Sequence, residues 1–285
     1  ELFEHVLSSV VANKEVYLEM INDIEKSRND AKLNKGTILR GGLASYAKYG
    51  KNNAFNEKET IAELKAKDVN TLVNKIKSLT QYKHKVFYYG QLPFKNVENT
   101  IAKYHKNTSH LKEVPKEKKY TELDIKENQV YFTPYDMQQV ELYFIAKDEL
   151  YNDKLLAPAT LFNEYFGAGL SSIVFQEIRE KKALAYAAYS YFSTPNEKDK
   201  SHYTYAYIGT QADKLNDATA SMLELMNNMP EAKMQFESAK EAAIKKLESD
   251  WVTGAGVYWQ YASAQKLGRD YDIRNQVYEQ IKAMT

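Results

Sequence analysis

Arg179 and Tyr186 are the two side chains of this sequence whose types and spacing best suit chemistry. An arginine carries a permanent positive charge, and a tyrosine offers a neutral hydroxyl donor. Fixed donors of these kinds stabilise an oxyanion that forms on an attacked carbonyl, each by roughly a few kcal/mol when water is excluded. Such a pair cannot activate water alone, so the two side chains can form only part of a hydrolytic site.

The residues before Arg179 predict the local structure that carries its side chain. Gly167 and Gly169 interrupt an apolar helical pattern, and Ser171 and Ser172 offer side-chain oxygens that can cap a second helix. An ordinary helix break explains the two glycines, although a glycine also lets another backbone pass close by.

The second helix is short and gives way to a strand. It runs out near Lys182 with basic residues in its last turn. From Leu184 the residues become small and aromatic, which favours a strand. This places Arg179 late on a helix and Tyr186 early on the following strand. The residues alone favour a simpler interpretation, in which Arg179 pairs with a neighbouring glutamate on the surface and Tyr186 packs in the sheet.

The composition excludes several classes of function. With 39 basic and 38 acidic side chains the net charge is +1, which favours neither nucleic acid nor an acidic membrane surface. The absence of cysteine excludes disulfides, zinc-thiolate sites and thiol nucleophiles. No apolar run approaches the length of a membrane span. The 23 tyrosines are interleaved with apolar or charged residues and indicate packing rather than base stacking.

The periodicity predicts helices first and sheet later. Strands are expected at 85–89, 129–132, 139–146, 184–193 and 202–210. One or two helices are expected from residue 2 onward, with a break near Asn13, and Asp68 is expected to cap a later one. Further helices are expected near 38–49, 57–64, 69–79, 94–105, 155–166, 213–228, 231–251 and 257–267. Segregated runs of this kind predict an α+β fold, a mostly antiparallel sheet with helices packed on one face.

The chain is expected to contain two domains and a linker. Residues 1–109 fit the later part of a first α+β domain, 110–127 a charged surface linker, and 128–285 a second α+β domain that carries Arg179 and Tyr186. A lone strand at 85–89 needs partners, and the chain starts without an initiator methionine. We therefore expect the sequence to be a piece of a longer protein, cut at both ends.

The central stretch resembles the pitrilysin and insulysin family of zinc metallopeptidases, which includes mitochondrial processing peptidase. The similarity is to the half of those molecules that lacks the metal. It is carried by YFG-x-G-x-SS at 165–172, FQE-x-RE at 175–180 and LAY at 184–186. The spacing of seven from Arg179 to Tyr186 matches the family's arginine and tyrosine pair. Flanking segments also match, YGKNNAF at 49–55 and KVFYYGQLP at 85–93.

The resemblance implies a clamshell of two halves, each made of two α+β domains, that encloses a peptide. The N-terminal half of the family carries zinc on an H-x-x-E-H helix. The C-terminal half supplies the arginine and tyrosine, which bind the substrate backbone and help to hold the tetrahedral intermediate. Arg179 and Tyr186 would then act in trans on a metal carried elsewhere, and Gly167, Gly169, Ser171 and Ser172 would contact the bound peptide.

This sequence departs from the catalytic half in its histidines. None of them shows H-x-x-E-H or H-E-x-x-H spacing, so we expect no metal site in this chain and zinc in a catalytic half or partner subunit. The five are His5, His84, His105, His110 and His202. The expected partners are that half and a peptide substrate, with neither nucleic acid nor a membrane span.

Two functions follow from the resemblance. The first is the non-catalytic C-terminal part of a zinc endopeptidase, and the alternative is a structural or peptide-binding subunit without peptidase activity. The retained Arg179 and Tyr186 favour the first, because a purely structural descendant needs neither. Family habit points to a bacterial periplasm or cell envelope, although the residues leave the compartment open.

Overall fold

The computed structural model of the protein describes residues 2–105, 107, 109–167 and 169–285. In this part of the chain the α-helices are α1 (Leu2–Ser9), α2 (Lys14–Lys32), α3 (Ala44–Tyr49), α4 (Ile61–Ala66), α5 (Val69–Lys77), α6 (Phe94–Tyr104), α7 (Leu156–Phe162), α8 (Leu215–Asn227), α9 (Lys233–Ser249), α10 (Ala255–Lys266) and α11 (Arg274–Ala283). Three π-helices are π1 (Thr37–Leu43), π2 (Asn163–Gly167) and π3 (Phe175–Lys181). The strands are β1 (Gln139–Leu150), β2 (Ala187–Ser193) and β3 (Ser201–Gln211). Helix α11 is the one α-helix of this set that the sequence pattern did not predict.

The chain divides into two compact units. The first contains the chain up to Asn34 together with Ala54–Tyr120, and the second contains Lys35–Asn53 together with Thr121–Thr285. The segment Lys35–Asn53, which the sequence pattern assigned to the first domain, packs with the second unit. The predicted domain limits at 109 and 128 stay a prediction.

Three helices of the first unit, α2, α4 and α5, begin at capping side chains. Asn13 accepts a hydrogen bond from a backbone amide at 3.1 Å where α2 begins, as the predicted break there requires. Thr60 and Glu63 form a reciprocal capping box at the start of α4, and Asp68 caps α5 as predicted. Such caps satisfy amide groups that the helix itself leaves unpaired, so the residues next to each helix define where it begins.

Apolar burial in the described part of the first unit is small. Its buried apolar side chains are Tyr17 and Ile21, both on α2. The Tyr17 hydroxyl donates to the Leu64 carbonyl at 2.8 Å and links α2 to α4. Large apolar side chains such as Phe3 and Phe94 stay exposed. The first unit is therefore held by caps and polar links more than by a core.

Two predicted strands are wrong. The segments at 85–89 and 129–132 have apolar, β-favouring residues, yet neither forms a strand in the structure. In the described residues near the first segment, pairing is limited to a single parallel bridge between Tyr82 and Lys112. Val130 and Phe132 of the second are almost fully exposed. A strand needs a backbone partner as well as suitable side chains, and the local pattern shows only the latter.

The second unit is built on a three-stranded antiparallel sheet with the order β1-β3-β2. Central strand β3 pairs with both neighbours, so that Tyr207 lies opposite Tyr143 on one side and Tyr189 on the other. Gly209 lies opposite Glu141 and Ala187 in the same way. The predicted strands at 139–146, 184–193 and 202–210 and the mixed helix and antiparallel sheet class are confirmed.

One face of this sheet forms the main core. Ala206 and Ile208 of β3 are fully buried and pack with side chains of π2, π3, α8 and α9. A second cluster joins α7, α9 and α11 through Ala157, Ala243 and Ile281. Every second side chain of a strand points to the same face. The side chains that face the helices are therefore buried between the sheet and the helical layer.

The opposite face carries tyrosines that are covered by π1 and α3. Arg40 of π1 donates to the Tyr189 hydroxyl at 3.0 Å, and its guanidinium lies 5.4 Å from the centre of the Tyr207 ring. Lys48 of α3 donates to the Tyr205 hydroxyl at 3.0 Å. Burial lowers the pKa of the Lys48 ammonium. Cations over aromatic rings attach this segment to the sheet, and we call this surface the tyrosine face.

Candidate functional site

The segment before the predicted Arg and Tyr pair is built by close packing. Gly167 ends π2 and is buried against β2, where a Cβ atom would overlap the Ser190 carbonyl group. Glycine is needed at this position because the absence of a side chain lets the backbone of Gly167 approach the backbone of Ser190. Gly169 has a φ of +91°, which favours glycine, and nothing lies within 4 Å of the position of its missing Cβ.

The predicted serine cap is formed by Ser172. Its buried hydroxyl donates to the Gly169 carbonyl at 2.9 Å and accepts a long hydrogen bond of 3.4 Å from the Phe175 amide. Ser171 is exposed in the turn beside it. The contact of Gly167, Gly169, Ser171 and Ser172 with a peptide stays a prediction.

Arg179 lies on π3 with its side chain 44% exposed. Its Nε atom is 3.8 Å from the Glu180 carboxylate, and its guanidinium lies 4.7 Å from the centre of the Phe175 ring. The surface pair with a neighbouring glutamate is therefore present, although it is long and exposed and contributes little. The guanidinium keeps donors that can bind an anionic or carbonyl oxygen.

A turn with an unusual backbone connects Arg179 to Tyr186. Ala183 has a φ of +48°, in the left-handed region that an alanine rarely adopts. The Lys214 ammonium donates to its carbonyl at 2.9 Å, and the Leu184 amide donates to the Ile178 carbonyl at 3.0 Å. These contacts end the helix abruptly and direct the chain into β2.

Tyr186 enters the sheet one residue before β2 and reaches across the central strand. Its amide donates to the Gly209 carbonyl at 3.0 Å. Its ring occupies the space that a side chain at position 209 would fill. From there its hydroxyl donates to Glu141 Oε1 on β1 at 3.4 Å. Because the strand order is β1-β3-β2, the glycine in the middle is what permits this reach.

Glu141 is the buried acid of this cluster. Its side chain is only 7% exposed, and the Lys35 ammonium contacts Oε1 at 2.7 Å. The second oxygen, Oε2, is buried without a hydrogen-bond partner. The carboxylate raises the pKa of the Lys35 ammonium. Burial raises the pKa of the Tyr207 hydroxyl, and the neighbouring Tyr186 and Glu141 add to that effect.

An open cleft borders this cluster at the start of β1 and the end of β3. Its volume is about 560 Å³, and Lys35 forms part of its wall. The remaining lining residues are Met137, Gln138, Gln139, Gln211, Ala212 and Asp213. The cleft thus lies beside the Lys35–Glu141 pair.

The structure thus joins Tyr186 to residues that the sequence did not single out. Glu141, Gly209 and Tyr207 lie far from it along the chain and meet it through strand register, and Lys35 joins them through its contact with Glu141. Two features of the sequence could have pointed to this cluster: the acidic Glu141 within the alternating pattern of β1, and Gly209 inside β3. Between the described side chains of Arg179 and Tyr186 the structure contains no hydrogen bond.

The histidines form no metal centre. His84 and His105 of the first unit approach with their Nε2 atoms 2.7 Å apart, and His105 Nδ1 lies 2.6 Å from the Glu4 carboxylate. Two nitrogens bound to one tetrahedral zinc would be about 3.3 Å apart, so this spacing fits a hydrogen bond between the rings instead. The described residues contain no group of three or more His, Asp or Glu side chains suited to a metal ion. None of their helices has the length and hydrophobicity that crossing a bilayer requires.

Comparisons with known proteins support the architecture. A comparison with curated proteins finds no match. Among solved structures, the peptidase M16 inactive domain from Pseudomonas fluorescens is 15% identical with a TM-score of 0.66, over 100% of this chain and 68% of that one. A protease from Helicobacter pylori is 14% identical with a TM-score of 0.68, over 100% and 70%. The periplasmic protease PqqL from Escherichia coli is 13% identical with a TM-score of 0.63, over 96% of this chain and 30% of that one. At these identities the likeness shows the fold.

A family model described as the peptidase M16 inactive domain matches residues 79–243. This range covers the motif segment, both ends of the Tyr186–Glu141 contact, and all three strands. It also confirms the resemblance to the half of a pitrilysin-type peptidase that binds no zinc. Because the match spans more than half of the 285 residues, the chain belongs to the peptidase M16 inactive-domain family.

Proposed function

We propose that this chain is the non-catalytic C-terminal portion of a zinc-dependent endopeptidase. It closes the substrate chamber and supplies Arg179 and Tyr186, which bind the peptide backbone and stabilise the tetrahedral intermediate of peptide hydrolysis. The observation that carries the proposal is the position of Tyr186: its ring lies over Gly209, and its hydroxyl donates to Glu141 at a long 3.4 Å. The hydroxyl can therefore turn to a stronger acceptor.

The chemistry divides between two partners. Zinc, held by an H-x-x-E-H motif in a catalytic half or partner subunit, would polarise the peptide carbonyl and activate water. This chain offers a guanidinium and a phenol hydroxyl, which donate to the oxygen on which negative charge develops. Arg179 binds the peptide backbone or that oxygen as a cation, and Tyr186 donates as a neutral group.

Proteases among the structural relatives support an enzymatic role, since the Helicobacter pylori and Escherichia coli proteins are both described as proteases. The proposed partners are the zinc-bearing half and a peptide. The balance of 39 basic and 38 acidic side chains gives nucleic acid no electrostatic advantage as a ligand.

The test is cleavage of a fluorescence-quenched peptide by the chain combined with its zinc-bearing half. Tyr186→Phe and Arg179→Ala should each lower kcat/KM by roughly 100-fold, because each removes one donor to the transition state. Tyr278→Phe is a matched control. Tyr278 also donates to a glutamate, at 2.8 Å, but it lies on α11 and its partner Glu248 lies on α9, outside the candidate site. It should leave cleavage unchanged.

Unchanged turnover in both site variants would contradict the proposed role. Stable assembly with a motif-bearing partner that cleaves no peptide would instead favour the alternative, a structural or peptide-binding subunit without peptidase activity.

A further inference from the structure

We propose that Glu141 is the positioning residue for the Tyr186 hydroxyl and that Lys35 neutralises Glu141 so that the hydroxyl can serve an oxyanion. This inference rests on the proposed function of Tyr186. It assigns a role to two residues outside the motif segment, one on β1 and one at the start of the Lys35–Asn53 segment.

The position of the Tyr186 hydroxyl is set by three strands together. Glu141 and Ala187 lie opposite the same residue, Gly209, on either side of β3. The Tyr186 ring crosses that glycine and brings its hydroxyl to Glu141 Oε1, to which it donates at 3.4 Å. A shift of Glu141 therefore removes the contact that selects where the hydroxyl points.

Burial explains why Glu141 needs Lys35. A carboxylate that is 7% exposed loses most of its hydration, which is unfavourable unless a cation compensates. The Lys35 ammonium contacts Oε1 at 2.7 Å, the same oxygen that accepts from Tyr186. Oε2 has no hydrogen-bond partner among the described residues. Lys35 and Tyr186 thus both contact Glu141 through the same oxygen, Oε1.

The same charge balance matters for catalysis. A bare carboxylate 3.4 Å from the Tyr186 hydroxyl would repel negative charge on any oxygen that the hydroxyl binds. The adjacent ammonium of Lys35 offsets that repulsion, while the carboxylate still accepts from the hydroxyl in the resting state. When a substrate oxygen becomes the stronger acceptor, the hydroxyl rotates to it, and Glu141 keeps the ring in place.

A purely structural Glu141 would behave differently, and a double-mutant cycle separates the two cases. In the enzyme assembled with its zinc-bearing half, Glu141→Ala should lower kcat by roughly tenfold with little change in KM, because misplacement of a donor acts on the transition state. If Glu141 acts through Tyr186, the double variant Glu141→Ala/Tyr186→Phe should be no slower than Tyr186→Phe alone. Multiplied losses would overturn the proposal. If Glu141→Ala fails to fold, Glu141→Leu, which likewise cannot accept a hydrogen bond, enters the same cycle.

The role of Lys35 has its own signature. Lys35→Met leaves an unneutralised carboxylate and should lower kcat by about tenfold. Adding Glu141→Gln should restore the activity of Lys35→Met to the level of Glu141→Gln alone, since the uncompensated charge is then gone. Absence of this rescue would overturn the neutralising role.

A crystal structure of the Glu141→Gln or Glu141→Ala chain gives a readout that does not depend on activity. The Tyr186 hydroxyl should lose its place in the alanine variant and keep it in the glutamine variant. An unmoved hydroxyl in the alanine variant would overturn the positioning role. If the hydroxyl moves while Tyr186→Phe leaves cleavage unchanged, the proposed catalytic function of Tyr186 fails and the positioning contact stands.

Discussion

The two units hold their helices in different ways, and the difference explains where a site can be built. In the described part of the first unit, burial of apolar side chains is confined to Tyr17 and Ile21. The second unit buries a continuous cluster between its sheet and the helices π2, π3, α8 and α9. A side chain can be held to within a fraction of an ångström only where its supports are themselves packed. The tyrosine hydroxyl of the candidate site is therefore found on the sheet.

The comparison also concerns how each unit uses tyrosine and cations. On the tyrosine face, Arg40 and Lys48 bind hydroxyls and ring faces of buried strand residues. In the first unit, Lys118 and Tyr120 meet Glu57 on an exposed surface. Exposed pairs contribute little to stability, whereas partly buried cations over aromatic rings contribute more.

The largest expected effect comes from the core of the second unit. Ile208→Ala removes a fully buried side chain from the centre of β3 and should lower the free energy of unfolding by about 3 kcal/mol. The matched change in the first unit, Ile76→Ala, removes a side chain that is 38% exposed and should cost below about 1 kcal/mol. Urea unfolding monitored by circular dichroism measures both. Equal losses would break the distinction between the units.

Adding one methyl group at a glycine of each unit tests the difference between the units a second time. A Cβ at Gly209 would overlap the Tyr186 ring, and a Cβ at Gly90 in the first unit would overlap the Tyr88 ring. The Tyr186 ring is held between strands, so Gly209→Ala should cost about 1–3 kcal/mol and also lower peptide cleavage. Tyr88 lies on an exposed loop and can move, so Gly90→Ala should cost less than about 1 kcal/mol. Thermal unfolding of the two variants gives the ranking, and a larger loss for Gly90→Ala would contradict it.

The smallest effect is a gain. Ala183 adopts the left-handed conformation at the end of π3, so Ala183→Gly should stabilise the second unit by up to about 1 kcal/mol. Ser78 ends α5 of the first unit at a φ of −84°, which any residue adopts, and its hydroxyl donates to the Lys75 carbonyl. Ser78→Gly should therefore lower stability by a few tenths to about 1 kcal/mol. Opposite signs in the shift of the melting temperature are the expected result.

Features that depend only on residues near each other in the chain were predicted correctly from the sequence. Asp68 was recognisable as a helix start because a cap acts within three residues, and the break near Asn13 was recognisable from the helical spacing. The strands of the sheet were found from their alternation. The segments at 85–89 and 129–132 show the limit of this reasoning, because their β-favouring residues lack partners in the structure.

The candidate site divides in the same way. The motif segment with Arg179 and Tyr186 is local, and its residues and their spacing carried most of the resemblance. The contact between Tyr186 and Glu141 spans 45 residues and depends on strand order and on a glycine between them. Neither of these can be derived from periodicity, since register is set only when the strands pair.

The π-helices carry a consequence for how such a chain can change over time. A π-helical turn holds one residue more than an α-helical turn, so each behaves as the trace of a single-residue insertion in an α-helix. Two of them bear the cations Arg40 and Arg179. Loss of one residue from such a turn would restore an ordinary α-helix, while the residues beyond it would keep their orientation, because the wide turn absorbs its extra residue locally. Homologues that lack one residue in 175–181 would thus keep the strand that follows and change only the local direction of Arg179, so length variation here redirects Arg179 without any substitution of it.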